Sequence, residues 1–168
     1  MINAIDDILK FSQAALSEIG MLLPTLFVYG AMQGRVMVPI ANLSEEGTQQ
    51  RGNDLARIGS EMAENKNVGR LTHVFLVNQG WIASVPGRNN LTGFVPSRDP
   101  KGKEALVISS LDVGSSKQGS YAYEIIRESN GKFSGLKPVQ ELEGLASYSP
   151  LLPAFVNGYN ALKKTAGN

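Results

Sequence analysis

The sequence predicts an α+β fold, a single globular domain over residues 1–168: a mainly antiparallel sheet of about five or six strands, three helices packed on it, and a long ordered loop between two central strands. Three observations lead there. Apolar residues recur at helical spacing in three separated stretches, near residues 2–19, 44–64 and 149–162. Between them lie short segments rich in β-branched and aromatic residues. Two of the connections, 30–34 and Asn130-Gly131, carry hairpin chemistry, so antiparallel pairing should dominate.

The first helix is expected over Ile2–Ile19, where Ile2, Ile5, Ile8, Leu9, Leu16 and Ile19 make a core-facing stripe. Asp6 and Asp7 lie near its positive end, Gly20 can close it, and Pro24 blocks its continuation. Thr25–Tyr29 reads as a strand and Arg35–Ile40 as its return. In the return strand Val36, Val38 and Ile40 alternate with Arg35, Met37 and Pro39, and Pro39 means that the strand is at an edge or ends there. Ser44 is the expected cap of a second helix, with Glu45 and Glu46 in the first turn, Leu55, Ile58 and Met62 inside, and Asn65–Gly69 as its end. The charges on its other side read as a solvated face.

Leu71–Val77 is apolar on both faces, as a central strand is, and Asn78-Gln79-Gly80 reads as a bulge or a strand end. The crossover from Ile40 to Leu71 allows a parallel pair. Glu104–Leu111, Ser120–Arg127 and a short edge strand over Lys132–Val139, ended by Pro138, complete the sheet. Glu141–Tyr148 is a polar connection. Ser149 and Pro150 start the last helix, with Leu152, Phe155, Val156, Tyr159 and Leu162 inward, Lys163 and Lys164 at its negative end, and a frayed tail from Thr165.

Composition narrows function mainly by exclusion. Apolar residues at 42% and charged residues at 18% are globular values, and a net charge of +1 gives no global attraction to nucleic acid or membranes. The chain has no cysteine, hence no disulfide, thiolate nucleophile or thiolate metal site, which fits a reducing compartment. With His73 as the one histidine, no multi-histidine metal site can form in one chain. Asp6 and Asp7 give the N-terminus the wrong charge for a signal peptide. The longest apolar run, Met21–Tyr29, contains Pro24 and is about half the length of a membrane-spanning helix. The expectation is a cytoplasmic protein with no membrane contact and no cofactor or metal.

The candidate binding residues are Trp81, Arg88, Arg98, Asp99, Lys101, Lys103 and Glu104. They lie in or beside the loop Pro86–Lys103, where four cations stand against one acid among turn-forming prolines and glycines. One reading is phosphate or nucleic-acid contact. The plainer one is an ordered turn kept soluble by its charges, since the glycine spacing fits neither a phosphate loop nor a dinucleotide fingerprint. Trp81 reads as a core plug before a stacking platform. His73 reads as a core histidine satisfied by a partner before a general base, because no nucleophile or orienting carboxylate lies near it in sequence.

Trp81, Pro96, Ser97, Asp99, Pro100 and Glu104 form a strand ending in tryptophan followed by Pro-Ser-x-Asp-Pro-x-x-x-Glu. This arrangement resembles a family of uncharacterised small bacterial and phage-associated α+β domains, over roughly a quarter of the chain. The chain departs from that pattern at Asn78-Gln79-Gly80, where the family has Ser-Glu-Ala, and at Gly102, where it has arginine. The resemblance implies the fold and no catalytic role, and the missing acid at Gln79 weakens any carboxylate mechanism.

The expected function is non-catalytic binding or assembly, through a protein partner or self-association. No activated-serine motif is present. The alternative is a magnesium-dependent hydrolase or nuclease at the 86–104 loop. It requires Asp99, Glu104 and Glu124 to converge within about 5 Å, with Lys101 or Lys103 stabilising charge. A third reading, nucleic-acid contact, requires Arg88, Arg98, Lys101 and Lys103 to share a face. The sequence leaves open whether the protein is an enzyme.

Overall fold

A computed structural model describes residues 2–32, 34–43, 47–64, 68–82, 102–139 and 150–165, with main chain alone at 2, 3 and 163–165. Among these residues there are three helices and one six-stranded antiparallel sheet, the α+β class read from the sequence. The elements in chain order are α1 (Ile2–Glu18), β1 (Thr25–Gly30), β2 (Arg35–Pro39), α2 (Thr48–Ala63), β3 (Leu71–Ile82), β4 (Lys103–Asp112), β5 (Lys117–Arg127), β6 (Phe133–Pro138) and α3 (Leu151–Thr165). The strands lie in the order β2-β1-β3-β4-β5-β6. Among the described residues no helix is long and apolar enough to cross a membrane.

The parallel pair allowed by the Ile40-to-Leu71 crossover does not form. β3 pairs antiparallel with β1, which also pairs antiparallel with β2, so the crossover passes β1 instead of joining a parallel neighbour. β3 also runs five residues beyond the expected Val77, through Gln79 and Gly80 to Ile82. Gly80 is therefore a residue within the strand.

Both outer strands carry a proline, and the register explains why they can. Ile40 N–H donates to Pro24 O at 2.7 Å, one step beyond the Thr25–Pro39 pair. Hydrogen-bonded pairs alternate along an antiparallel ladder, so Val38 and Val36 turn their main-chain groups to β1 and Met37 and Pro39 turn theirs outward. In β6 the Val139 N–H bond to Ala122 O (2.9 Å) sets the same phase, and Pro138 points outward. A missing N–H costs no ladder bond at either place.

The chain divides into two compact units, each comprising separate stretches of sequence. One comprises Leu23–Val77, Ile108–Ser120 and the C-terminal stretch that carries α3. Its core joins Leu26 and Val28 of β1 and Val74 and Leu76 of β3 to Leu55 of α2 and to Leu152, Phe155 and Tyr159 of α3. Helices α2 and α3 meet backbone to backbone. A Cβ on Gly59 would overlap Phe155 O, and one on Gly158 would overlap Ala56 O. Ser60 Oγ donates to Gly158 O at 3.1 Å, and Tyr159 OH donates to Gly69 O at 2.6 Å. On the other side of β1 and β3, Phe27, Phe75 and Val77 are buried too, as the apolar run predicts for a central strand.

The other unit comprises Met1–Leu22, Asn78–Val107 and Tyr121–Glu143, and in it α1 packs beside β6. Ile8 and Leu16 are buried as expected, and Ser12 is buried with them. The Ser12 hydroxyl donates to Ile8 O at 2.8 Å, which satisfies it inside the helix. Ile19 is 72% exposed, contrary to its place in the stripe. The helix ends at Glu18 and the chain turns through Gly20 (φ 82°), so Ile19 leaves the helical face.

Helix starts differ from expectation by a few residues. α1 begins at Ile2, which moves Asp6 and Asp7 out of its first turn. α2 begins at Thr48 after Gly47 (φ 116°), with no side-chain cap; the expected cap Ser44, the acids Glu45 and Glu46, and Asn65–Asn67 lie outside the described residues. In α3 Ala154 N–H donates to Pro150 O at 3.1 Å, so Pro150 precedes the helix proper. Leu162, expected inside, is exposed. Ser149, the connection before it and the side chains of Lys163 and Lys164 lie outside the described residues.

Candidate functional site

Of the seven candidate residues, Arg88, Arg98, Asp99 and Lys101 lie outside the described residues. Trp81, Lys103 and Glu104 lie within them. Lys103 and Glu104 open β4, where successive side chains point to opposite faces.

Glu104 sits at the centre of a row across three strands. Its Oε2 accepts from Arg127 Nε at 2.7 Å, and its Oε1 accepts from Arg127 Nη2 at 2.8 Å and from Gln79 Nε2 at 2.6 Å. Arg127 is on β5 and Gln79 on β3. The same two side chains hold the chain leaving α1: Arg127 Nη2 donates to Gly20 O (2.9 Å), and Leu22 N–H donates to Gln79 Oε1 (2.7 Å). The guanidinium holds the Glu104 carboxyl below its ordinary range despite partial burial, and Gln79 adds to the effect. The carboxylate in turn raises the affinity of Arg127 for its proton. Glu104 is therefore a fastening residue, each of its carboxylate oxygens accepting at least one hydrogen bond.

Lys103 Nζ lies 3.0 Å from Glu124 Oε2, so Glu124 shares the face of Lys103 and Glu104 points to the other. The convergence of Glu104 and Glu124 on one metal ion does not occur, because alternation along β4 separates them. Among the described residues no three acidic or histidine side chains gather as ligands.

Trp81 is 50% exposed and is no core plug. It follows Gln79 by two residues in β3, which puts its side chain on the face of Gln79, roughly 7 Å further along. Because Gln79 fastens the 20–22 segment, the exposed side chains of Ile19 (72%) and Met21 (52%) belong to the same neighbourhood. Trp81, Ile19 and Met21 are thus large apolar side chains exposed on or next to segments that the Gln79–Glu104–Arg127 row hydrogen-bonds together.

A second polar cluster was not legible in the sequence. His73 Nε2 lies 3.8 Å from Asp112 Oδ2, and Arg70, Thr72, Gly114 and Asn160 complete an open cleft of about 540 Å³. His73 is half-exposed and faces a carboxylate, unlike the satisfied core histidine expected. Asp112 is fixed by its own turn: Oδ1 accepts from Gly114 N–H at 2.9 Å and Ser115 N–H at 3.1 Å. Those main-chain bonds, Ser115 foremost, and the nearby imidazole lower the carboxyl's pKa. At 3.8 Å the His–Asp contact is too long for a hydrogen bond, and among the described residues no hydroxyl nucleophile is bonded to the ring.

The structure defines an α+β domain. No family model, no curated protein and no solved structure matches the chain.

Proposed function

We propose that this chain is a non-catalytic binding domain that takes a protein partner on the apolar surface around Trp81. The observation that carries the reading is the exposure of Trp81, Ile19 and Met21 beside the Gln79–Glu104–Arg127 row. Large apolar side chains grouped in solvent mark interaction surfaces, and tryptophan is enriched among the residues that dominate binding energy. The row beneath supplies rigidity, so little conformational entropy is lost on contact. The lack of cysteine supports a reducing compartment, the cytoplasm.

The test is site-specific photocrosslinking of the full chain in cells. A crosslinker at Met21 should give a discrete adduct that disappears on Trp81→Ala, while one at the exposed Gln13 should not. Equal adducts from both positions, or none from Met21, would sink the reading.

A further inference from the structure

β2 ends the strand order, and among the described residues β1 alone pairs with it. Its outward-turned residues are Met37 at the middle and Arg35 and Pro39 at the two ends. Pro39 has no N–H to offer, whereas Met37 directs both an N–H and a C=O away from β1. The Met37 side chain is 40% exposed. On the opposite face Val36 and Val38 line a groove of about 520 Å³ with Ile58 and Met62 of α2. Arg57 and Glu61, 2.7 Å apart, stand at its rim.

We propose that β2 pairs antiparallel with β2 of a second copy of this chain, about a two-fold axis at Met37. Such a contact is self-complementary at every level the strand offers. The two Met37 residues fall opposite each other and exchange two main-chain hydrogen bonds, and their side chains cover one another. Val36 of each copy falls opposite Val38 of the other, closing the groove with apolar atoms. Arg35 falls opposite Pro39, so no like charges are opposed. Along the rim each copy presents one cation and one anion, so the antiparallel approach can set Arg57 of one copy against Glu61 of the other. The inference stands on residues separate from those around Trp81, so each reading can fail alone.

The test is sedimentation of the full chain across a wide concentration range, with three variants. Met37→Lys puts two ammonium groups opposite each other on an exposed position, and Met37→Pro removes the outward N–H without touching the β1 ladder. Trp81→Ala leaves β2 intact. Wild type and Trp81→Ala should form a concentration-dependent dimer, and both Met37 variants should weaken it at least about tenfold. Circular dichroism and thermal melts confirm that each variant is folded, and Met37→Lys, which keeps every main-chain group, decides the matter if Met37→Pro does not fold. A chain that stays monomeric throughout overturns the proposal and leaves the edge to a strand from another protein. A dimer indifferent to Met37→Lys overturns it as well.

Discussion

The carboxylate of Glu104 receives the guanidinium of Arg127 at two points, 2.7 Å from Nε to Oε2 and 2.8 Å from Nη2 to Oε1. Two parallel bonds fix the plane of both groups, which a point-charge pair cannot do. Arg127 directs two of its three remaining donors at main-chain oxygens, Gly20 O at 2.9 Å and Gly131 O at 3.1 Å. One side chain thereby ties β4, the chain leaving α1 and the β5–β6 turn together. Both groups are partly buried, so the pair is less screened than a fully exposed one.

Glu104→Gln keeps the shape and removes the charge. It should lower the unfolding free energy by about 1–3 kcal/mol, read from urea midpoints at neutral pH. Arg127→Lys keeps the charge and removes the fork, and should cost about 1 kcal/mol or more. If both variants melt with wild type, the row is ornamental.

The same contact makes a pH signature. The folded pKa of Glu104 lies below its ordinary value of 4.5. A group depressed on folding contributes stability that is complete above the unfolded pKa and is lost as pH falls through the folded one. The stability gap between wild type and Glu104→Gln should therefore be flat from neutral pH down to about pH 5 and close below that. A gap that widens on acidification contradicts the assignment.

Two glycines in α2 should respond in opposite directions. Gly59 meets α3 where a Cβ would overlap Phe155 O, so Gly59→Ala should destabilise by at least about 2 kcal/mol. At Gly52 an added Cβ would make only an ordinary 3.8 Å contact with Ala154. Gly52→Ala should stabilise by about 0.5–1 kcal/mol through helix propensity. Thermal melts of the two variants, side by side, check the helix–helix approach.

Ser116 is in the left-handed region (φ 57°) at the end of the β4–β5 turn. Relieving that conformation with Ser116→Gly should raise stability by about 1 kcal/mol, measured by denaturant titration. No gain would mean that the turn relaxes without help.

The sequence made legible whatever depends on local chemistry. Pro39 marked β2 as an edge strand or its end, Pro138 marked the end of β6, Asn130-Gly131 its hairpin, and the Leu55–Ile58 spacing the buried side of α2. It missed what depends on register. Glu104 and Arg127 are 23 positions apart and meet because β4 and β5 fold back through the turn at 113–116. Reflecting Glu104 through that turn lands beside Ile125–Arg127, a signal that was available in the positions of Gly114 and Gly119. His73 and Asp112 needed the same step across β3 and β4. Trp81 went the other way, because large size argues for burial and β3 continues far enough past Val77 to carry the ring into solvent. On the charged face of α2, Arg57 and Glu61 are exposed and pair with each other along the helix, as a solvated face predicts.

Pro39 and Pro138 also govern how the chain behaves when crowded. A fibre of the cross-β kind grows by adding strands indefinitely at both borders of a sheet, each addition needing an unbroken row of donors. Here each border carries one imino acid in that row. Edgewise addition to β2 or β6 is therefore interrupted at Pro39 and Pro138 and does not run on from one copy to the next.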